Sequence, residues 1–253
     1  ATADFRDQFY GLRGAIVDRV DADDARFPKL VSTRHVDLAH CAWGERPVRI
    51  LFERHAAPRA DRAALADDAK MAAWMHARLV PKVLVATQTK VLEAVVDEQG
   101  AWLPVVPLLT VIPRDGAEID LWMLAAAIAS PVATAESARI AYGTALSAAA
   151  IKLSAKQLLA LPLPRDRAAW LESARILHDA SNAREAHARG EALRRFAEAS
   201  CRAHGLDADA TKRALGFWTA RAFDAAPKTT TQKTTTQKTT TLKTTTLKTT
   251  TPA

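Results

Sequence analysis

The chain has 253 residues, 49% of them apolar and 25% charged, enough for one or two modest domains with a real core. Its formal net charge of +7 points toward nucleic acid. However, five of the 35 basic residues are Lys228, Lys233, Lys238, Lys243 and Lys248, which leaves 30 basic against 28 acidic residues in the body. Any basic surface must therefore come from clustering, and no run of about 18 apolar residues offers a membrane span.

Residues 1–60 show little periodicity and several turn and aromatic residues, such as Phe9-Tyr10-Gly11 and Trp43-Gly44-Glu45-Arg46-Pro47. They read as an irregular lead-in. The opening ATADFRDQFYGL carries charges where a signal peptide needs an apolar core. Asp61 is positioned to cap a helix reaching about Leu79, with Leu65, Ala69, Ala72, Met75 and Leu79 on one face, and Pro81 closes it.

A sheet region then runs from Pro81 to Val111. Two apolar runs, Val83 to Ala86 and Val91 to Val96, flank the polar Thr87-Gln88-Thr89-Lys90. Gly100 is placed to take the positive φ of a short hairpin loop after Asp97. Pro104 and Pro107 confine the last two apolar pieces to an edge or a bend, because proline cannot donate to a ladder.

Asp120 starts an apolar helix, Leu121 to Ala129, that Ser130-Pro131 ends. Thr134 is read as the cap of the next, with Gly143 as its stop. Ile151 to Ser154 and Gln157 to Leu163 read as extended pieces. Three helices follow, at about Arg167–Asp179, Ala183–His204 and Ala208–Phe223, with Asp166, Asn182 and Asp207 at their starts. From Lys228 the chain repeats KTTTQ or KTTTL, a pattern too rich in Thr for an apolar face, and disorder is expected there.

The motifs of a self-sufficient active site are missing from the sequence. It contains no Gly-x-Gly for a dinucleotide or phosphate loop and no Gly-x-Ser-x-Gly nucleophile turn. His35, His40 and Cys41 lack a usual zinc spacing. Cys41 and Cys201 are far apart and do not make a disulfide framework, so a reducing cytoplasm fits.

The blocks TADFRDQFYGL, WGERP, LVPKVLVATQTKVLEAVVDEQGAWLP, Ala129-Ser130-Pro131 and KLSAKQLLALPLP occur in an order that resembles one family. Over about residues 2–180 the chain is similar to the C-terminal, TaqI-like target-recognition region of N-6 adenine DNA methyltransferases of the restriction–modification kind. The resemblance implies double-stranded DNA as partner and a catalytic domain upstream of Ala1. It also implies S-adenosylmethionine as the cofactor of the full-length enzyme. Such enzymes bind that cofactor with a Gly-rich loop and hold a flipped adenine with a Pro-Pro-aromatic motif. This sequence has neither a Gly-rich loop nor any Pro-Pro dipeptide, so no cofactor-binding or catalytic residue is expected in it.

For DNA contact the candidates are Thr87, Gln88, Thr89 and Lys90. Gln can pair bidentately with adenine, Thr can touch a thymine methyl, and Lys can meet phosphate. The bland alternative is a polar connection between two strands. Lys82, which matches the family's lysine before the strand, either reaches phosphate or marks a strand start. Arg46, Arg49, Lys152 and Lys156 are further phosphate candidates or plain surface charges. Trp43 and Trp102 are read as core before base-stacking residues. The mixed charges on Ala183–Ala203, with Arg184, Arg189, Arg194 and Arg195 beside Glu185, Glu191 and Glu198, favour a solvated helix.

The expected architecture is α+β, with a small mixed or antiparallel sheet and flanking helices. Residues 1–60 form the lead-in, 61–165 the recognition-like domain, 166–226 a helical extension and 227–253 the repeat tail. The rival reading is a non-enzymatic remnant or protein-interaction module that does not touch DNA.

Overall fold

The computed structural model describes residues 1–4, 6–141 and 150–223. It is an α+β protein. The N-terminal part runs β1 (Thr2–Ala3), α1 (Arg6–Gly11), β2 (Ile16–Asp18), β3 (Lys29–Val31), β4 (Val36–Asp37), β5 (His40–Cys41), β6 (Val48–Ile50), β7 (Glu53–His55) and β8 (Pro58–Ala60). It is therefore not an irregular lead-in. Its strands span only two or three residues, too short to show an alternating pattern in sequence.

The helix expected from Asp61 starts later, as α2 (Ala69–Arg78). Asp68 caps it by accepting from the backbone N–H groups of Lys70 and Met71. Asp61 instead accepts from the N–H of Ala63 in the turn ahead. The sheet region holds β9 (Lys82–Ala86), β10 (Glu93–Asp97), β11 (Trp102–Pro104) and β12 (Leu109–Val111).

These strands make two four-stranded sheets, ordered β1-β12-β9-β10 and β11-β3-β8-β2. The first is antiparallel throughout, and β9 and β10 pair Ala86 with Glu93 and Lys82 with Asp97. In the second, β11 lies parallel to β3 at the sheet edge, where Pro104 costs no ladder bond. The turn after Asp97 therefore does not close a hairpin; it hands the chain from one sheet to the other. Gly100 takes φ 67° there, and a Cβ on it would stand 2.5 Å from the carbonyl carbon of Val80.

The first sheet is buried on both faces, which explains why β9 is a continuous apolar run. Val83, Val85 and Ala94 face the helices, whereas Leu84, Ala86 and Val95 pack with Val31, Val36 and Leu108 between the sheets. The helical layer begins with α3 (Leu121–Ala129), where Asp120 accepts from the N–H of Met123 at 2.7 Å. Next, α4 (Pro131–Ala141) is capped by Ser130, whose Oγ accepts from the N–H of Ala133. Thr134 lies inside that helix, its Oγ1 accepting from the N–H of Leu92 at 3.3 Å. Gly143 and the repeat from Lys228 lie outside the described residues.

The piece expected to be extended at Gln157–Leu163 is in part α5 (Ala155–Leu159), closed at its start by a reciprocal bond pair between Ser154 and Gln157. Three longer helices complete the layer: α6 (Arg167–Asn182), α7 (Ala186–Ala203) and α8 (Ala208–Ala222). Asp166 and Asp207 cap the first and third, accepting from Ala169 and Ala210 N–H groups. Asn182 ends α6 and does not start α7. No single helix among the described residues is long and apolar enough to cross a membrane.

Candidate nucleic-acid interface

The loop from Thr87 to Leu92 joins β9 to β10 and is locked from below by one bridge. The N–H of Gln88 donates to the Ile151 carbonyl at 2.7 Å, and the N–H of Ile151 donates to the Thr89 carbonyl at 2.7 Å. Two threonine hydroxyls are spent inside the loop's own support: Thr87 Oγ1 donates to the Pro107 carbonyl at 3.1 Å, and Thr89 Oγ1 to the Val91 carbonyl. Both threonines are buried. Between them Gln88 is held at φ 71°, a left-handed conformation that costs a non-glycine residue roughly 1–3 kcal/mol. Its backbone is fixed, and its half-exposed side-chain amide makes no hydrogen bond among the described residues.

This loop floors a cleft of about 1280 Å³. The sheet side contributes Arg34, Arg49, Arg54 and Lys90; helices α7 and α8 contribute Arg189, Arg194 and Arg221. Among the described residues only two carboxylates, Asp37 and Glu93, share the lining. Asp37 is already neutralised by a two-pronged pair with Arg46, which holds the guanidinium proton more tightly than usual. A body close to neutral in sum thus concentrates positive charge at one place.

On the helix side the arginines rest on rings. The Arg221 guanidinium lies 3.6 Å from the centroid of Phe217, and that of Arg194 lies 4.6 Å from Phe223. Phe223 packs edge-on against buried Trp218, which packs in the same way against Phe196 of α7. The spacing of His187, Gly190 and Arg194, three and four residues apart, places them on one face of α7 toward the cleft. The glutamates that alternate with its arginines predict a solvated helix; the signal in the sequence for this face is the spacing of those three residues.

The candidates named from sequence separate into three groups. Thr87, Gln88, Thr89, Lys90 and Arg49 line the cleft. Lys82 does not: its side chain has 0% exposure and its Nζ donates to Asp97 and to the Val80 carbonyl, so phosphate cannot reach it. Burial pulls its pKa down, and the Asp97 carboxylate acts against that. The lysine belongs to the turn, since Asp97 also accepts from the N–H groups of Ala101 and Trp102. Arg46 is likewise outside the lining and tied to Asp37 and the Arg34 carbonyl. Lys152 and Lys156 are exposed on the segment beyond Ile151 and are not part of the cleft lining.

Trp43 is clamped between cations, with Lys29 Nζ 5.1 Å and the Arg59 guanidinium 4.7 Å from its ring, while Nε1 donates to Pro58. Trp102 packs against the cluster between the sheets. His35, under the sheet side, has its pKa lowered to about 4, mainly by burial. Its Nδ1 accepts from the Ser32 N–H, which leaves Nε2 to donate to the Arg46 carbonyl. Among the described residues no three His, Cys, Asp or Glu side chains are placed to hold a metal ion. Compared with the models of known protein families and with curated proteins, the chain matches none.

Proposed function

We propose that the cleft binds double-stranded DNA and that the chain is the target-recognition portion of an S-adenosylmethionine-dependent adenine-specific DNA methyltransferase. One observation carries the reading: among the described residues, seven arginine and lysine side chains against two carboxylates surround a hydrogen-bonded polar loop whose central glutamine amide makes no hydrogen bond. Positive charge of this kind meets phosphates without regard to sequence. Gln88 supplies what phosphate contacts lack, a donor and an acceptor side by side that match an adenine edge.

The backbone under Gln88 is fixed before any ligand arrives, so ordering it on binding costs little. Adenine as the target and methylation as the reaction come from the family resemblance. The sequence has no Gly-x-Gly and no Pro-Pro, so its residues do not fit a site for S-adenosylmethionine. No step of methyl transfer is assigned to them; a catalytic domain would supply it. Two free thiols, Cys41 and Cys201, both pushed up to about 11 by burial, suit a cytoplasmic setting.

Fluorescence anisotropy on short duplexes over a range of salt tests the reading. Replacing Arg54, Arg194 or Arg221 with Gln should each weaken binding and flatten the logarithmic salt slope by about 1. Replacing the five tail lysines with Gln should leave sequence preference untouched. Affinity that vanishes with the tail charges and ignores the cleft arginines would reduce the binding to unspecific attraction and remove the proposal.

A further inference from the structure

One part of the cleft's sheet side has a geometry that charge alone does not explain. Strands β6 and β7 form a hairpin with a two-residue loop, Leu51-Phe52, and both loop residues have positive φ, 51° and 73°. Such loops are usually Asn-Gly, because side chains resist that conformation. Here the tip carries Phe52, 77% exposed, the most exposed of the large apolar side chains among the described residues. One face of the hairpin is anchored: Val48 and Ile50 are buried, and Leu51 packs against their cluster. The other face pairs Arg49 directly with Arg54.

Opposed like charges across a strand pair disfavour each other. Neither arginine forms an ion pair among the described residues. Arg49 donates instead to the Phe52 carbonyl at 3.1 Å, bracing the tip from behind. Both arginines line the cleft, while Phe52 stands clear of its wall. A braced aromatic ring beyond two uncompensated cations complements a phosphate backbone with a stack of bases inside it.

Resting on the reading of the cleft as a DNA site, we propose that the β6–β7 hairpin is a wedge. Phe52 inserts into the base stack of the bound duplex, and Arg49 and Arg54 take the phosphates on either side. The wedge opens the stack beside the base that Gln88 reads, and the strained tip keeps the ring pointed outward before DNA arrives.

Duplexes with 2-aminopurine at successive positions, titrated with the full chain, test this. Emission should rise at one or two adjacent positions with the natural protein. Phe52→Ala should abolish that rise and weaken binding to intact duplex by about tenfold. On a duplex with an abasic gap at that position the loss should be smaller, since the stack is already open. The salt slope should stay unchanged, and Phe52→Trp should restore both signals. Arg49→Gln should instead weaken all duplexes alike and reduce the slope by about 1.

An emission rise that survives in Phe52→Ala overturns the wedge and leaves the cleft reading standing. A natural protein that binds no duplex at any salt removes both.

Discussion

The two walls of the cleft are made by different means. On the sheet side the loop around Gln88 is tied at every turn, to Ile151, Pro107 and Val91, and both threonine hydroxyls are consumed in holding its shape. On the helix side Arg221 and Arg194 are long side chains resting on Phe217 and Phe223, and Arg189 donates to the Ala183 carbonyl. A wall that cannot move suits discrimination, because a mismatched base meets polar groups that will not rearrange. A wall of cations carried on helices suits grip on a backbone common to every sequence.

The hardest break to that contrast lies behind the sheet side. Lys82→Met leaves Asp97 buried without its cation and should destabilise the protein by about 3–5 kcal/mol, read as a shift in chemical denaturation. Adding Asp97→Asn should recover much of the loss, since the amide oxygen can still accept from Ala101 or Trp102. Duplex affinity per folded molecule should not change in either variant. A lowered salt slope would mean that Lys82 touches phosphate after all.

Acid provides a second, somewhat smaller break. His35 has a folded pKa of about 4 against an ordinary 6.5. Between those values the unfolded chain takes up a proton that the folded chain refuses. Its contribution is full above about pH 6.5 and falls as pH drops toward 4, by at most about 3 kcal/mol. His204 in the helical layer, also held low by burial, adds a loss of the same sign. In denaturant titrations at several pH values, His35→Gln should remove part of the fall below pH 6.5. A pH dependence unchanged by that substitution would assign it elsewhere.

The smallest effect sharpens the comparison most. Gln88→Gly should relieve the left-handed strain and stabilise the protein by about 1 kcal/mol or less. The same change should erase base preference with little loss of unspecific affinity. Stability and selectivity moving in opposite directions at one residue is the signature of a reader held in place at a cost. A variant that keeps its preference would shift the reading role away from Gln88.

Much of the fold was legible where one residue acts locally. The β9 and β10 runs, Asp120 and Asp207 as caps, and the Leu121–Ala129 helix follow from patterns within a few residues. Asp61 and Thr134 had equally good capping chemistry, but Asp68 and Ser130 took those positions because the adjoining backbone was already committed to a turn or to Pro131. The eight short strands up to residue 60 were not legible, since two or three residues are too few to show a period. The cleft itself was only half legible. The loop at 87–90 is contiguous, but Arg34, Arg54, Arg194 and Arg221 come from distant segments and meet only through the fold. Lys82 misled for the opposite reason: a lysine at a strand start looks solvated until the partner, Asp97, is seen across the ladder.

The pairing of early with late strands governs what happens while the chain is being made. Thr2 and Ala3 find their ladder partners only in Thr110 and Leu109, and one edge of β3 waits for Trp102–Pro104. The first sheet cannot close until Leu109–Val111 has been synthesised, nor the second until Trp102–Pro104, and before then unpaired edges with apolar faces stay exposed to other chains. A nascent chain stalled before Val111 would therefore be a substrate for chaperones, and no cut near residue 60 yields two pieces that fold apart. Thr2–Ala3 and Leu109–Thr110 are thus fastened to each other only after every other strand of both sheets has emerged.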